Sequence, residues 1–378
     1  MSNGKRNESR GVDVELALPR ANFQKRERSG GIAMAAGNSP RESFSFFGAE
    51  IAKAPDFGIS LGRVWASFGA FEWVALSYLA FSSAMILLFA RNLAHPFKLI
   101  DAQAIVATLI FMICAANARA ERLALQNGET ITTDFWHFWR HWYSHLFFLF
   151  CFEELGFLVH LVNPKWQDAK LIAFDHAVFG VHPAVWLEQF ATPLRNDFFQ
   201  FAYLTYFLYL VVLGGILYYR REWHAYWSVM TYSAVGYAIG YVIAAIFPIE
   251  SPWFAMAGAW HGDLHGGPFT ATINFIEHFG RVQGAAFPSE HVAGSVAALW
   301  GAWRHRRWLF WVMLPLVAAM CVSTVWGRYH YVADIFGGII TGTLGYIIGV
   351  WLMRRGGSVA DERQRVRGQS DCLATGSR

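Results

Sequence analysis

The sequence predicts an all-α, polytopic membrane bundle of about eight spanning helices. Three observations carry that expectation. Of the 378 residues, 55% are hydrophobic and only 15% charged, against roughly 25% charged in an ordinary soluble chain. The apolar residues gather in charge-poor runs close to the roughly 20 residues that a helix needs to cross a bilayer. Arg and Lys fall between those runs in an alternating pattern. The composition excludes disorder, collagen-like repeats and coiled coil for the bulk of the chain, and a net charge of +4 is too small and scattered to suggest nucleic acid. Cys114, Cys151, Cys321 and Cys372 lie too far apart for a metal knuckle or a redox CxxC.

Residues 1–66 hold ten Lys/Arg against seven Asp/Glu and no long apolar run, which reads as a disordered basic N-terminal tail. The tail has no signal-peptide h-region, so the first span is expected to carry the chain into the membrane. Spans are expected near 67–90, 102–118, 142–163, 198–219, 225–247, 289–303, 308–326 and 335–353. The sixth is the weakest, because its apolar part from Val292 to Trp303 is short unless the helix starts at Ser289 or sits in a pocket of protein and water. The polar, Arg-rich segment 354–378 is expected to be a second disordered tail.

The N-terminal tail, the 119–141 loop, the Arg220-Arg221 turn, the turn with Arg304, Arg306 and Arg307, and the Arg354-Arg355 end all fall on one side of such a bundle. Basic loops mark the cytoplasm, so both termini are expected there, in a plasma or inner membrane. Segments 164–197 and 248–288 and the connection from Arg328 to Asp334 face outward.

The chemistry-bearing residues cluster on that outer side. In Phe287-Pro288-Ser289-Glu290-His291, Pro ends a loop and Ser289 is a natural N-cap for the helix that follows. A helix start offers free N–H groups and partial positive charge, an anion site, and His291 lies in its first turn. In Gly327-Arg328-Tyr329-His330-Tyr331-Val332-Ala333-Asp334, His330 and Asp334 are four apart and share a helix face. A carboxylate against one imidazole nitrogen fixes the tautomer and makes the other nitrogen a better nucleophile or base. From His291 the chain crosses inward, turns, and returns to His330, so both histidines reach one face. Two histidines, an Asp, an Arg and a capped helix start together suit displacement at phosphorus. Nucleophile, acid and charge are all supplied without metal-ligand spacing, and no cofactor is implied.

At these residues the chain resembles the type 2 phosphatidic acid phosphatase superfamily of membrane lipid phosphatases, which also includes vanadium haloperoxidases and fungal-type inositol phosphorylceramide synthases. Pro288-Ser289-Glu290-His291 is similar to the second motif of that family, and His330 through Asp334 to the end of its third. Asp175 with Phe179-Gly180 and Pro183, and Phe247-Pro248 with Pro252-Trp253, look like the inositol phosphorylceramide synthase branch. The resemblance covers roughly the last five spans. It implies a six-helix core, with residues 67–163 as N-terminal helices and 164–353 as the catalytic membrane domain. It further implies that His330 forms a phosphohistidine, that Asp334 orients it, and that His291 protonates the leaving oxygen of a lipid phosphate. Hydrolysis is the first expectation; with an alcohol such as inositol in place of water, the same site would be a lipid phosphotransferase.

Two departures from the family pattern are visible. The Lys and Arg-Pro of the first motif are missing, and Thr324 stands where an Arg is expected six residues before His330. Arg328 is the favoured replacement as phosphate ligand, with the Ser289 helix start beside it and Arg281 as the second basic candidate, equally readable as a solvated loop charge.

Other residues point elsewhere. Glu153 and Glu154 lie in the third span, as a proton relay or as helix-packing polar groups, and a transporter built on them is the rival reading. His137, His141 and His145 are interleaved with aromatic residues and read as an interfacial aromatic belt rather than a metal site. The glycine-rich loop from His261 to Gly267 reads as a flexible cover.

Overall fold

The computed structural model describes residues 61–127, 135–280 and 283–375, with side chains along the last helix as far as Arg355. The described residues form α1 (Leu61–Ala66), α2 (Ala70–Leu88), α3 (Pro96–Asn127), α4 (Phe135–Leu158), α5 (Asp168–Phe179), α6 (Pro183–Glu188), α7 (Pro193–Leu204) and α8 (Tyr206–Tyr219). They continue with α9 (Trp223–Ile246), α10 (Pro252–Ala255), α11 (Pro268–Gly280), α12 (Glu290–His305), α13 (Arg307–Trp326) and α14 (Val332–Thr375). Among the described residues, six stretches are long and apolar enough to cross a membrane: Ala70–Leu88, Pro96–Ala124, Pro193–Tyr219, Trp223–Ile246, Arg307–Trp326 and Val332–Arg355. The protein is a polytopic helical membrane bundle.

The other two expected spans are present as helices that fall short of that measure, for different reasons. α4 carries Arg140, Glu153 and Glu154 among its aromatics, which lowers its hydropathy. α12 has 16 residues, about 24 Å of helix at about 1.5 Å per residue against a hydrocarbon core of about 30 Å. Its faces are wrapped by protein, with Val292, Ala293, Ser295, Ala297, Ala298 and Ala302 all buried.

The ends differ from expectation as well. Residues 1–60 lie outside the described residues, but the last part of the expected tail forms α1, with Trp65 stacked on Trp73 at 5.6 Å between ring centroids. α14 continues past Arg354 to Thr375, where a disordered tail was expected. No Pro interrupts residues 354–375, and a helix already nucleated by a packed segment extends cheaply through Arg, Glu, Gln and Ala.

Polar ties fasten the N-terminal helices to the rest. Glu72 on α2 accepts from Gly69 N–H at 2.7 Å at the helix start, from Arg140 Nη1 at 2.7 Å and from the Tyr143 hydroxyl at 2.5 Å on α4. The Arg140 guanidinium lies 4.3 Å from the centre of the Trp227 ring on α9. Each charge is buried with a partner, as an apolar surrounding requires. Gln103 on α3 donates to Ser82 on α2 at 2.9 Å and to Glu154 on α4 at 2.6 Å, tying the three helices together. His137 and His141 pack on Trp223, and His145 stacks on Trp142.

Small residues let α9, α12 and α14 approach closely. A Cβ on Gly345 would come within 2.7 Å of Gly236 N, and one on Gly338 within 2.5 Å of Ser289 O. The second contact sets the beginning of α14 against the beginning of α12, and the two clusters read from the sequence lie at these two helix starts.

Candidate active site

His330 lies in the short link between α13 and α14, where Tyr329 N–H and His330 N–H both donate to Thr324 O, at 2.9 and 3.1 Å. Its Nε2 stands 3.3 Å from His291 Nδ1 in the first turn of α12. Its Nδ1 is 2.9 Å from Ala286 O and 3.2 Å from Asp334 Oδ2. A carbonyl only accepts, so Nδ1 carries the proton and the neutral ring presents its lone pair at Nε2. His291 Nδ1–H can then donate to that lone pair, while His291 Nε2 accepts from the Tyr203 hydroxyl at 2.8 Å. The protons run in one direction from Tyr203 to Asp334. Burial pushes His330 down to about 4, against the opposing effect of its bond to the Ala286 carbonyl, so the ring is neutral near pH 7.

Asp334 links the two motifs. Its Oδ2 also accepts from Tyr331 N–H at 2.8 Å, and its backbone oxygen accepts from Ser289 N–H at 3.0 Å. Ser289 is the N-cap expected, with Oγ accepting from Val292 N–H at 3.4 Å. Since Ser289 O takes the N–H of Ala293, the first-turn donors left over are those of Glu290 and His291.

α5 holds this assembly from behind. Asp175 accepts from Val332 N–H at 2.9 Å and Ala333 N–H at 3.1 Å, closing the start of α14. Asp168 accepts from the Tyr331 hydroxyl at 2.9 Å, from Glu250 N–H at 2.9 Å and from Ser251 N–H at 3.3 Å.

The basic candidates fall differently. Arg281 lies outside the described residues. Arg328 is buried at 2% exposure, with Nη2 donating to Gly262 O at 2.7 Å and 3.2 Å from Glu188 Oε1. Its guanidinium lies 4.4 Å from the Trp260 ring centre. Burial lowers its pKa, while Glu188 and Asp263 work the other way. The loop read as a flexible cover is fastened at this point, since His261 and Gly262 N–H donate to Glu188 Oε1 at 2.9 and 3.0 Å.

A cavity of about 370 Å³ opens beside the histidines. His291, His330, Tyr203 and Tyr329 line it, and so do Phe148, Leu149, Phe152, Phe207, Leu210 and Val211 on α4 and α8. Leu149, Phe207 and Val211 are also 58%, 46% and 41% exposed, so the cavity reaches the outer wall of the bundle between these helices. α4 and α8 approach each other where His145 and Trp142 face Gly214 and Gly215. Among the described residues, the charged side chains lining the cavity are the carboxylates Glu153, Glu250, Glu277 and Glu290, and Arg328 is not part of the wall.

Residues 169–348 match the family model of the PAP2 superfamily. The match spans both histidine motifs and α5, and it supports that superfamily without distinguishing a branch within it. No curated protein and no solved structure matches the chain. The PAP2 superfamily points to a phosphatase-type hydrolase or a related phosphotransferase.

Several contributors to the geometry were not foreseen. Asp175 was read only as part of a family-like motif and Asp168 not at all, although the two are seven apart, two turns on one face of α5, a spacing that could have marked them as a pair. Tyr203, the Ala286 carbonyl and Glu188 left no sequence signal, because their roles depend on which helix faces meet.

Proposed function

We propose that the protein is a lipid-phosphate phosphatase that works through a phosphohistidine on His330. The observation that carries this reading is the cavity, which is lined both by the imidazole pair and by apolar side chains of α4 and α8 that are also exposed on the outside of the bundle. A lipid can keep its chains in the membrane and bring its phosphoester to Nε2 through such a cavity.

In the first step the His330 Nε2 lone pair forms the N–P bond while the P–O bond to the lipid alkoxide breaks; the leaving oxygen takes the Nδ1 proton of His291 as His291 Nε2 takes the hydroxyl proton of Tyr203, so the His291 ring stays neutral. Asp334 and the Ala286 carbonyl hold Nδ1–H and stabilise the charge that develops on the ring. In the second step water gives a proton to His291 Nδ1 while Nε2 returns its proton to Tyr203, the water oxygen bonds to phosphorus and the N–P bond breaks. The Tyr203 hydroxyl can donate or accept, so it serves both states of His291. The free N–H groups at the start of α12 face the phosphoryl oxygens. An alcohol in place of water would make the same site a phosphotransferase. Because the Arg-rich turns alternate along the chain, the site belongs on the non-cytoplasmic face, with both termini in the cytoplasm.

The test is release, by the purified protein, of inorganic phosphate from lipid monophosphates and of the phosphorylated head group from lipid phosphodiesters, in one panel with His330→Ala as the control. Release that depends on His330 supports the reading. No release from any member, with or without an added alcohol acceptor, would overturn it in favour of the transporter.

A further inference from the structure

Glu290, the residue between Ser289 and His291, is 3% exposed, and neither carboxylate oxygen has a hydrogen-bond partner among the described residues. It lines the cavity. Room for it comes from Gly240 on α9, where any Cβ would collide with its carboxylate. Tyr206, Tyr237 and Tyr241 line the same cavity and stand within electrostatic reach of it, and the Tyr206 and Tyr237 hydroxyls are 3.1 Å apart. A buried carboxylate left without a partner is costly, so a group that completes it is to be looked for in the cavity.

The cavity wall narrows the choice. Among the described residues it carries four Glu side chains and no Lys or Arg. A cationic group brought in by the ligand would meet the Glu290 carboxylate there. An ammonium group suits both features of the wall, since carboxylates attract it and aromatic rings hold it through their negative faces.

We propose that Glu290 and the rings of Tyr206, Tyr237 and Tyr241 form a subsite for an ammonium group, and that the substrate is a zwitterionic phosphoester lipid with an amino-alcohol head group. This inference rests on the phosphoester reading of His330. In it the phosphate lies between the histidines and the α12 start, and the amino-alcohol arm reaches the carboxylate one residue along the helix.

The test compares single-chain lipids that share a hexadecyl tail, hexadecylphosphocholine and hexadecylphosphoglycerol, titrated into the full chain in an uncharged maltoside detergent and followed by tryptophan fluorescence. The expected result is a preference for the choline ester of about tenfold or more, present equally in His330→Ala, lost in Glu290→Gln and competed by tetramethylammonium. Tyr241→Leu should weaken the preference too and serves if Glu290→Gln does not fold. Equal binding of the two lipids, a preference for the glycerol ester, or a preference unchanged by both variants would overturn the subsite. Because binding is read in His330→Ala, the two readings fail separately. A choline preference without any turnover removes the enzyme and keeps the subsite, and turnover without preference does the reverse.

Discussion

His330 Nε2 and His291 Nδ1 stand 3.3 Å apart, a direct hydrogen-bond contact with no space for a phosphoryl group between them. In the proposed mechanism the lone pair that attacks is therefore occupied at rest by the proton of the proposed acid. Phosphorus would have to displace this contact as it arrives, and the displaced Nδ1–H would then lie beside the leaving oxygen.

Covalent catalysis by this pair can be read directly. With a radiolabelled lipid phosphate carrying a good leaving group, His291→Ala should accumulate an acid-labile phosphoryl adduct, because the group that activates water is gone. His330→Ala should form none. Asp334→Asn should insert and fold but turn over about 10²- to 10⁴-fold more slowly. An adduct that persists in His330→Ala would reassign the nucleophile.

The burial of His330 sets a pH dependence. Its pKa is pushed down to about 4, below the ordinary value of 6.5, so the unfolded chain binds this proton first as pH falls. Stability from this group is complete above about 6.5 and should decline towards 4 by up to about 1.4 kcal/mol per pH unit. Thermal melts at a series of pH values should show a shallower acid decline in His330→Asn than in the wild type. The acid limb of kcat/KM that reports the nucleophile should lie nearer 4 than 6.5. Equal pH slopes in the two proteins would show that His330 is not held neutral by burial.

How much of this was legible before the structure depends on the range of each interaction. The Ser289 cap and the His330/Asp334 pair are local, separated by three or four residues, and helix geometry alone brings their partners together. That His291 meets His330 followed from counting membrane crossings between them. Arg328 illustrates the opposite case. Its distance along the chain from His330 placed it at the site, but its left-handed backbone, with φ of 65°, and Glu188 on α6 take the side chain elsewhere. Neither a φ angle nor a partner 140 residues away can be read from spacing. Glu290 was part of a recognised motif, yet its burial shows only once Gly240 is seen to leave it room.

Asp175 should matter through position. Its two oxygens hold the first N–H groups of α14, the helix that carries Asp334. Asp175→Ala should cost about 0.5–2 kcal/mol, as loss of a helix cap does, and lower the melting temperature. It should reduce kcat with little change in KM, and Asp175→Asn, which keeps one accepting oxygen, should restore part of both. A loss confined to KM would instead make Asp175 a substrate contact.

The last prediction separates two roles for Arg328. As a phosphate donor it would be worth about 10²- to 10³-fold in turnover, and removing Glu188 would free the guanidinium and leave activity intact or improved. The geometry favours a structural clasp, with Nη2 bonded to Gly262 O at 2.7 Å, Glu188 at 3.2 Å, and Trp260 stacked against the guanidinium at 4.4 Å. Breaking a buried pair from either side leaves an uncompensated charge, typically at about 3–5 kcal/mol. Arg328→Ala and Glu188→Gln should therefore lower the melting temperature by similar amounts, and the double variant should be no worse than either single one. Arg328→Lys should recover little, because a point charge cannot keep both the carbonyl and the carboxylate in a fork. Turnover should follow stability in all four proteins, since the clasp holds the loop from His261 to Gly262 against the link that carries His330. If Arg328→Ala alone loses activity at unchanged stability while Glu188→Gln is silent, the guanidinium leaves Glu188 to meet the phosphate during turnover.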